Sequence, residues 1–177
     1  EDGCNRQCAY CVIPRARGPV RSRSEESILA ELRQLAASGY REVVLSAISL
    51  PSYGLDTGTN LVELVEKCAR VEGIERIRLG SLDPDMLTPE YITRLAAVDK
   101  LCPQYHLSLQ SGCSATLRRM RRVYTAEQYA AINETLFDSN MKLGADRKAL
   151  INELCQYCGK YKQAHEGACD GCRWRDM

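Results

Sequence analysis

Apolar positions change their period several times along the chain. Ile28, Leu32 and Leu35 recur at helical spacing. Ser24 precedes them as a cap, Glu25 and Glu26 fill the first turn, and Gly39 suits the stop. Residues 42–48 are then β-rich and mostly apolar, as in a buried parallel strand. Residues 49–59 form a turn-rich loop. Asn60 caps a second helix with Leu61, Leu64, Val65 and Cys68 on one side. Residues 76–80 read as a short strand, and Thr88-Pro89-Glu90 starts a third helix with Pro in its first turn. A strand over 105–110 ends in Gln110-Ser111-Gly112 and leads into a basic helix. Thr125 and Gln128 make a capping box for a last helix reaching about Phe137. Residues 12–24, broken by Pro14, Gly18 and Pro19, read as a basic loop.

Strand and helix in alternation predict an α/β fold with a parallel sheet. Right-handed crossovers curl such a sheet toward a barrel, with sites at the carboxyl ends of the strands. Three strands are evident, too few to close one. Near residue 139 the pattern stops. A polar junction follows, then a short helix candidate over 146–154 and two cysteine pairs. This divides the chain into a core, residues 1–138, and a tail, residues 139–177. The chain opens on Glu1 with no strand to deliver its first loop, so it reads as a fragment.

Composition narrows the function. A hydrophobic fraction of 45% supports a packed core. A formal net charge of +1 supplies no global field for nucleic acid, so any RNA affinity rests on local patches and no DNA partner is expected. No stretch has the apolar length of a transmembrane helix. Ten cysteines without a secretory signal read as metal ligands before disulfides, in a reducing, cytoplasmic setting.

Three of those cysteines are grouped. Cys4, Cys8 and Cys11 follow the spacing C-x3-C-x2-C. Three thiolates on one loop suit three irons of a [4Fe–4S] cluster and leave the fourth open, the mark of a catalytic rather than a structural metal site. A structural zinc loop and three incidental thiols are the alternatives.

This loop, with Tyr10 just before the last cysteine, resembles the radical S-adenosylmethionine (SAM) superfamily. That resemblance implies an open iron that chelates the amino and carboxylate groups of SAM, and one-electron cleavage to a 5′-deoxyadenosyl radical. Residues 1–137 look most like the tRNA methylthiotransferases, and within them the branch acting on N6-threonylcarbamoyladenosine. The matching text is Asp2-Gly3-Cys4-Asn5, Cys11-Val12-Ile13-Pro14, Arg17-Gly18, Arg21-Ser22-Arg23, Ser52-Tyr53-Gly54, 107–112 and 117–125. The resemblance implies a truncated, TIM-like (β/α) barrel. It also implies methylthio transfer to C2 of the adenosine, tRNA as partner, and an electron donor such as flavodoxin or ferredoxin. Sulfur in that family comes from an auxiliary cluster in an amino-terminal domain that this chain lacks, so activity of the chain alone is not expected.

Further residues carry open alternatives. Tyr10 offers a flat face or its backbone to the adenine of SAM, or packs beneath the loop. Gln110 and Ser111 hydrogen-bond the SAM ribose or carboxylate, or Ser111 caps the next helix. His106 reads as structural. Arg15, Arg17, Arg21 and Arg23, with Arg118, Arg119, Arg121 and Arg122, form a landing site for phosphates, hold the SAM carboxylate, or are solvated. Cys68, Cys102 and Cys113 read as small buried residues. In the tail, Cys155-x2-Cys158 and Cys169-x2-Cys172 lie ten residues apart and suit one tetrahedral zinc. A second cluster or disulfides are the alternatives, and His165 is a substitute ligand. Two rival functions remain: a different radical SAM reaction, and a non-enzymatic, metal-bound RNA-binding or interaction module.

Overall fold

A computed structural model describes residues 1–141. The junction beyond Met141, the short helix candidate and the cysteines at 155, 158, 169 and 172 lie outside the described residues. The helices are α1 (Ile13–Arg17), α2 (Glu25–Ala37), α3 (Leu61–Ala69), α4 (Pro89–Ala96), α5 (Ser114–Arg119) and α6 (Ala126–Met141). The strands are β1 (Glu42–Leu45), β2 (Arg76–Leu79), β3 (Ser81–Leu82) and β4 (His106–Leu107).

The helix starts follow local chemistry. Ser24 Oγ accepts the Ser27 N–H at 3.3 Å, and Asn60 Oδ1 accepts that of Glu63 at 3.0 Å. Thr88 Oγ1 accepts that of Tyr91 at 3.2 Å. The capping box forms reciprocally, with Gln128 N–H to Thr125 Oγ1 at 3.2 Å and Thr125 N–H to Gln128 Oε1 at 2.8 Å. Each bond satisfies a donor that the first turn leaves without an intrahelical partner. The last helix runs four residues past Phe137, to Met141, across the boundary expected at 138.

The strands are parallel, as the βα alternation predicts. β1 pairs with β2 in the register Val43↔Ile77, and β3 pairs with β4 through Ser81↔His106. One parallel bridge, Ile77↔Leu101, links β2 toward the segment before β4. Helices α2, α3, α4 and α6 pack on one another around Leu61, Val65, Ile77, Leu82, Ile92, Leu95 and Leu136, all almost fully buried.

Three expectations are corrected. The strand expected over 42–48 pairs only to Leu45. Pro51 and the 3-10 turn Leu50–Ser52 redirect the chain soon after, and Val44 is 59% exposed, so this strand is covered on one face rather than two. The strand expected over 105–110 pairs only through His106–Leu107, because the chain turns directly after it: the Leu109 N–H bonds back to Leu107 O at 3.0 Å, and Gln110 then has φ +64°. The loop expected over 12–24 contains α1. Its Pro14 sits in the first turn, where a missing N–H costs nothing, and Gly18 ends it at φ +80°.

Candidate functional site

The loop that carries Cys4, Cys8 and Cys11 meets the carboxyl ends of β3 and β4 through Arg6, which pairs with Asp83 and Asp85, and through Cys8, which faces Arg122. The segment that carries them is stitched down at its start. Asp2 and Arg21 exchange backbone hydrogen bonds of 3.0 and 2.8 Å, the Cys4 N–H reaches Gly18 O at 3.1 Å, and Val20 N–H reaches Asn5 Oδ1 at 3.1 Å. Glu1 extends the seam to the exit of β1, accepting the Ser49 N–H at 2.9 Å. On the far side, the Ala9 N–H donates to Met120 O at 3.0 Å and ties the loop to the end of α5.

Below the loop lies a network of charges. Arg6 makes a two-pronged contact with Asp85 at 2.8 and 2.9 Å and pairs with Asp83 at 3.2 Å. Arg122 pairs with the same Asp83 through its Nη2 and donates from Nε to Tyr124 Oη at 3.1 Å. Its remaining arm, Nη1, points at Cys8 Sγ at 3.3 Å. Tyr124 Oη in turn donates to the carbonyls of Ser108 and Leu109 at the exit of β4. Asp83 and Asp85 stand just past β3. The network therefore joins the cysteine loop, β3, β4 and α5 in one place. The side chains of Arg122 and Asp83 keep 6% and 13% exposure, so their attraction is poorly screened. Burial opposes the Arg122 charge. Asp83, the Cys8 sulfur and Tyr124 outweigh it and hold the guanidinium protonated more firmly than in water.

The thiols fit a cluster. All three are free and partly buried. Burial pushes the Cys4 thiol up, while the Arg6 N–H at 3.4 Å and the Arg6 charge favour its thiolate; Cys8 and Cys11 act on it as like charges. Two of the three sulfurs thus already face N–H donors, as metal-bound thiolates do in iron–sulfur sites. Among the described residues, no three His, Cys, Asp or Glu side chains gather around a single ion position. A cubane spreads its thiolates over three irons, a wider set than one ion takes.

The other expected site residues divide. Tyr10 is 54% exposed on the loop, not packed beneath it. Gln110 is exposed at the exit of β4. Ser111 does not cap α5; its Oγ accepts the Cys113 N–H at 3.2 Å and closes a turn. His106 Nδ1 lies 3.0 Å from Ser81 Oγ, in keeping with a structural histidine. Arg17 and Arg21 pair with Asp2, and Arg23 pairs with Glu31. Arg118, Arg119 and Arg121 are exposed, whereas Arg122 is turned inward. Cys68 is fully buried, which pushes its thiol up to about 11. Cys113 is exposed instead, because it is the residue that opens α5 at the surface. Arg6, Asp83, Asp85 and Tyr124 carry no signal as a set in the sequence, since their partners are distant in the chain.

The model of the family described as the radical SAM superfamily matches residues 2–147. The chain belongs to the radical SAM superfamily. The match runs past the boundary at 138. Among curated relatives, the threonylcarbamoyladenosine tRNA methylthiotransferase MtaB of Aquifex aeolicus is 42% identical over 132 residues, 75% of this chain and 32% of its own length. The tRNA-2-methylthio-N(6)-dimethylallyladenosine synthase of Clostridium botulinum is 43% identical over 129 residues, covering 72% and 29%. The MtaB of Bacillus subtilis is 41% identical, covering 73% and 29%. The chain thus spans about a third of the length of the curated relatives it matches. A solved radical SAM methyltransferase, TsrM of Kitasatospora setae with tryptophan and a SAM analogue bound, superposes with a TM-score of 0.61 at 18% identity. It covers 78% of this chain and 27% of its own, and at that identity it speaks for the fold alone. The superfamily implies a [4Fe–4S] cluster and SAM, and the three free thiols offer the ligand set that the cluster needs.

Proposed function

We infer that residues 1–138 are the SAM-cleaving part of a tRNA methylthiotransferase, an arc of a (β/α) barrel, which places a methylthio group on C2 of an N6-modified adenosine. The observation that carries this reading is the three-thiol loop at the strand ends, in a chain 41–43% identical to methylthiotransferases of tRNA. When bound, a [4Fe–4S] cluster supplies the one-electron cleavage of SAM. The chain's own residues bind and orient. Cys4, Cys8 and Cys11 hold three irons and leave one open. Tyr10 lays its exposed ring on the adenine of SAM. Gln110 and Ser111 take the ribose or carboxylate. The exposed Arg118 and Arg119 on α5, and Arg121 just past its end, meet tRNA phosphates. A flavodoxin or ferredoxin delivers the electron in the cytoplasm. Among the described residues no helix is long and apolar enough to cross a membrane.

The N6-threonylcarbamoyl substrate is the specific reading, supported by the MtaB relatives. The dimethylallyl substrate is favoured by the C. botulinum relative, which matches as well. Anaerobic incubation of the reconstituted chain with SAM, reductant and tRNA carrying both nucleosides separates them by nucleoside mass spectrometry. Because the chain spans about a third of its relatives' length, 5′-deoxyadenosine without methylthio product is expected. A methylthiolated nucleoside would identify the substrate and show that the chain suffices. The absence of SAM cleavage by a cluster-loaded chain would sink the reading. Cys155, Cys158, Cys169 and Cys172 are proposed to hold one zinc. Metal analysis should find it in the full chain and find it lost in Cys158→Ser.

A further inference from the structure

Arg122 has two ordinary partners and one unusual target. Asp83 holds one end of the guanidinium, and Tyr124 receives the Nε–H at 3.1 Å with its ring centroid 5.1 Å from the guanidinium carbon. Tyr124 is itself anchored on the carbonyls of β4's exit. The fork is therefore fixed before any ligand arrives, and its free arm is aimed at Cys8 Sγ, 114 residues away in the chain. A salt bridge alone would not need that arm. A phosphate-binding arginine would be solvated, and this one is not.

We propose that Arg122 is a positioning residue that sets the reduction potential of the cluster through Cys8, with Asp83 as the counter-charge that limits the effect. A hydrogen bond and a positive charge at a ligating thiolate favour the more negative, reduced state of a cluster. The guanidinium touches the sulfur directly, at 3.3 Å, so its sign dominates there. Taking one electron from a low-potential donor breaks and forms no bond at Arg122, which stays protonated throughout. Its role is to make that electron easier to accept. Asp83 withdraws part of the benefit and keeps the arm oriented, and Arg6 shares Asp83 so that the carboxylate is not left with one partner.

The inference rests on the cluster assignment of the cysteine loop and not on tRNA as substrate. Its test is the midpoint potential of the reconstituted full chain, read by electron paramagnetic resonance during a redox titration, with iron per chain measured on each sample. Arg122→Met should make reduction about tenfold less favourable, a midpoint about 59 mV lower for one electron. Arg122→Lys should fall between, since an ammonium keeps the charge but cannot serve Cys8, Asp83 and Tyr124 together. Asp83→Asn should move the midpoint upward. Opposite shifts are the signature, because mere loosening of the loop would move both variants the same way. Unmoved midpoints, or shifts of one sign in Arg122→Met and Asp83→Asn, would overturn the proposal. If Arg122→Met does not load, Asp83→Asn decides: an upward shift supports it, and no shift or a downward one rejects it. A wild-type chain that holds no cluster overturns this inference together with the cluster assignment, whereas loaded chains with unmoved midpoints reject this inference alone.

Discussion

Cys8→Ala is expected to leave the chain without a stable [4Fe–4S] cluster after anaerobic reconstitution, and iron per chain should fall from a full cluster to near background. Three thiolates are the fewest that hold a cubane while leaving an open iron, so losing one leaves two irons without protein ligands. Cys8 is also the sulfur that faces Arg122, and its loss leaves that arm aimed at a methyl group. Circular dichroism should change little. The packing around Ile77, Leu82 and Leu95 does not involve the loop. Cys4→Ala and Cys11→Ala should behave alike, and Cys68→Ala should retain the iron. A full cluster in the triple variant would refute the assignment.

Gly3→Ala should do nearly as much harm without touching a ligand. Gly3 has φ +79°, a region that costs a residue with a Cβ roughly 1–3 kcal/mol. The new methyl carbon would also stand 2.0 Å from Pro19 O and 2.6 Å from Pro19 C. Both are backbone atoms, so no side chain can swing aside. The strand seam between residues 2–5 and 18–21 must open, and Cys4 is the next residue along it. The expected result is a sharp loss of iron loading with the helical signal preserved. Gly58→Ala is the control: it has φ +76° and no atom within 4 Å of the added carbon, so it carries the backbone cost without the clash. Equal loading in Gly3→Ala and wild type would show that the seam does not hold the loop.

The sequence was most legible where cause and effect are neighbours. Ser24, Asn60, Thr88 and Thr125 cap helices through bonds to N–H groups three residues on; three of these caps are readable from local residue order, and at Thr88 the helix start is. Cysteine spacing was equally local. Strand lengths were not, because pairing is decided across the sheet. The apolar run after Leu45 and the alternation after Leu107 both continue past the last partner. The basic run 118–122 shows the limit most clearly. Composition makes its four arginines alike, yet the fold leaves three exposed and buries Arg122 against Asp83 and Cys8, 39 and 114 residues away. Cys113 escaped for the opposite reason: a lone cysteine has no period to show that it opens a helix at the surface.

Cys4, Cys8 and Cys11 are proposed to hold a cluster with one iron open to SAM. The most direct test is the electron paramagnetic resonance spectrum of the dithionite-reduced, reconstituted chain, recorded with and without saturating SAM. A reduced [4Fe–4S] signal is expected whose g-values shift when SAM takes the open iron, with both signal and shift absent from the triple cysteine variant. A full cluster whose spectrum SAM leaves unchanged would contradict it.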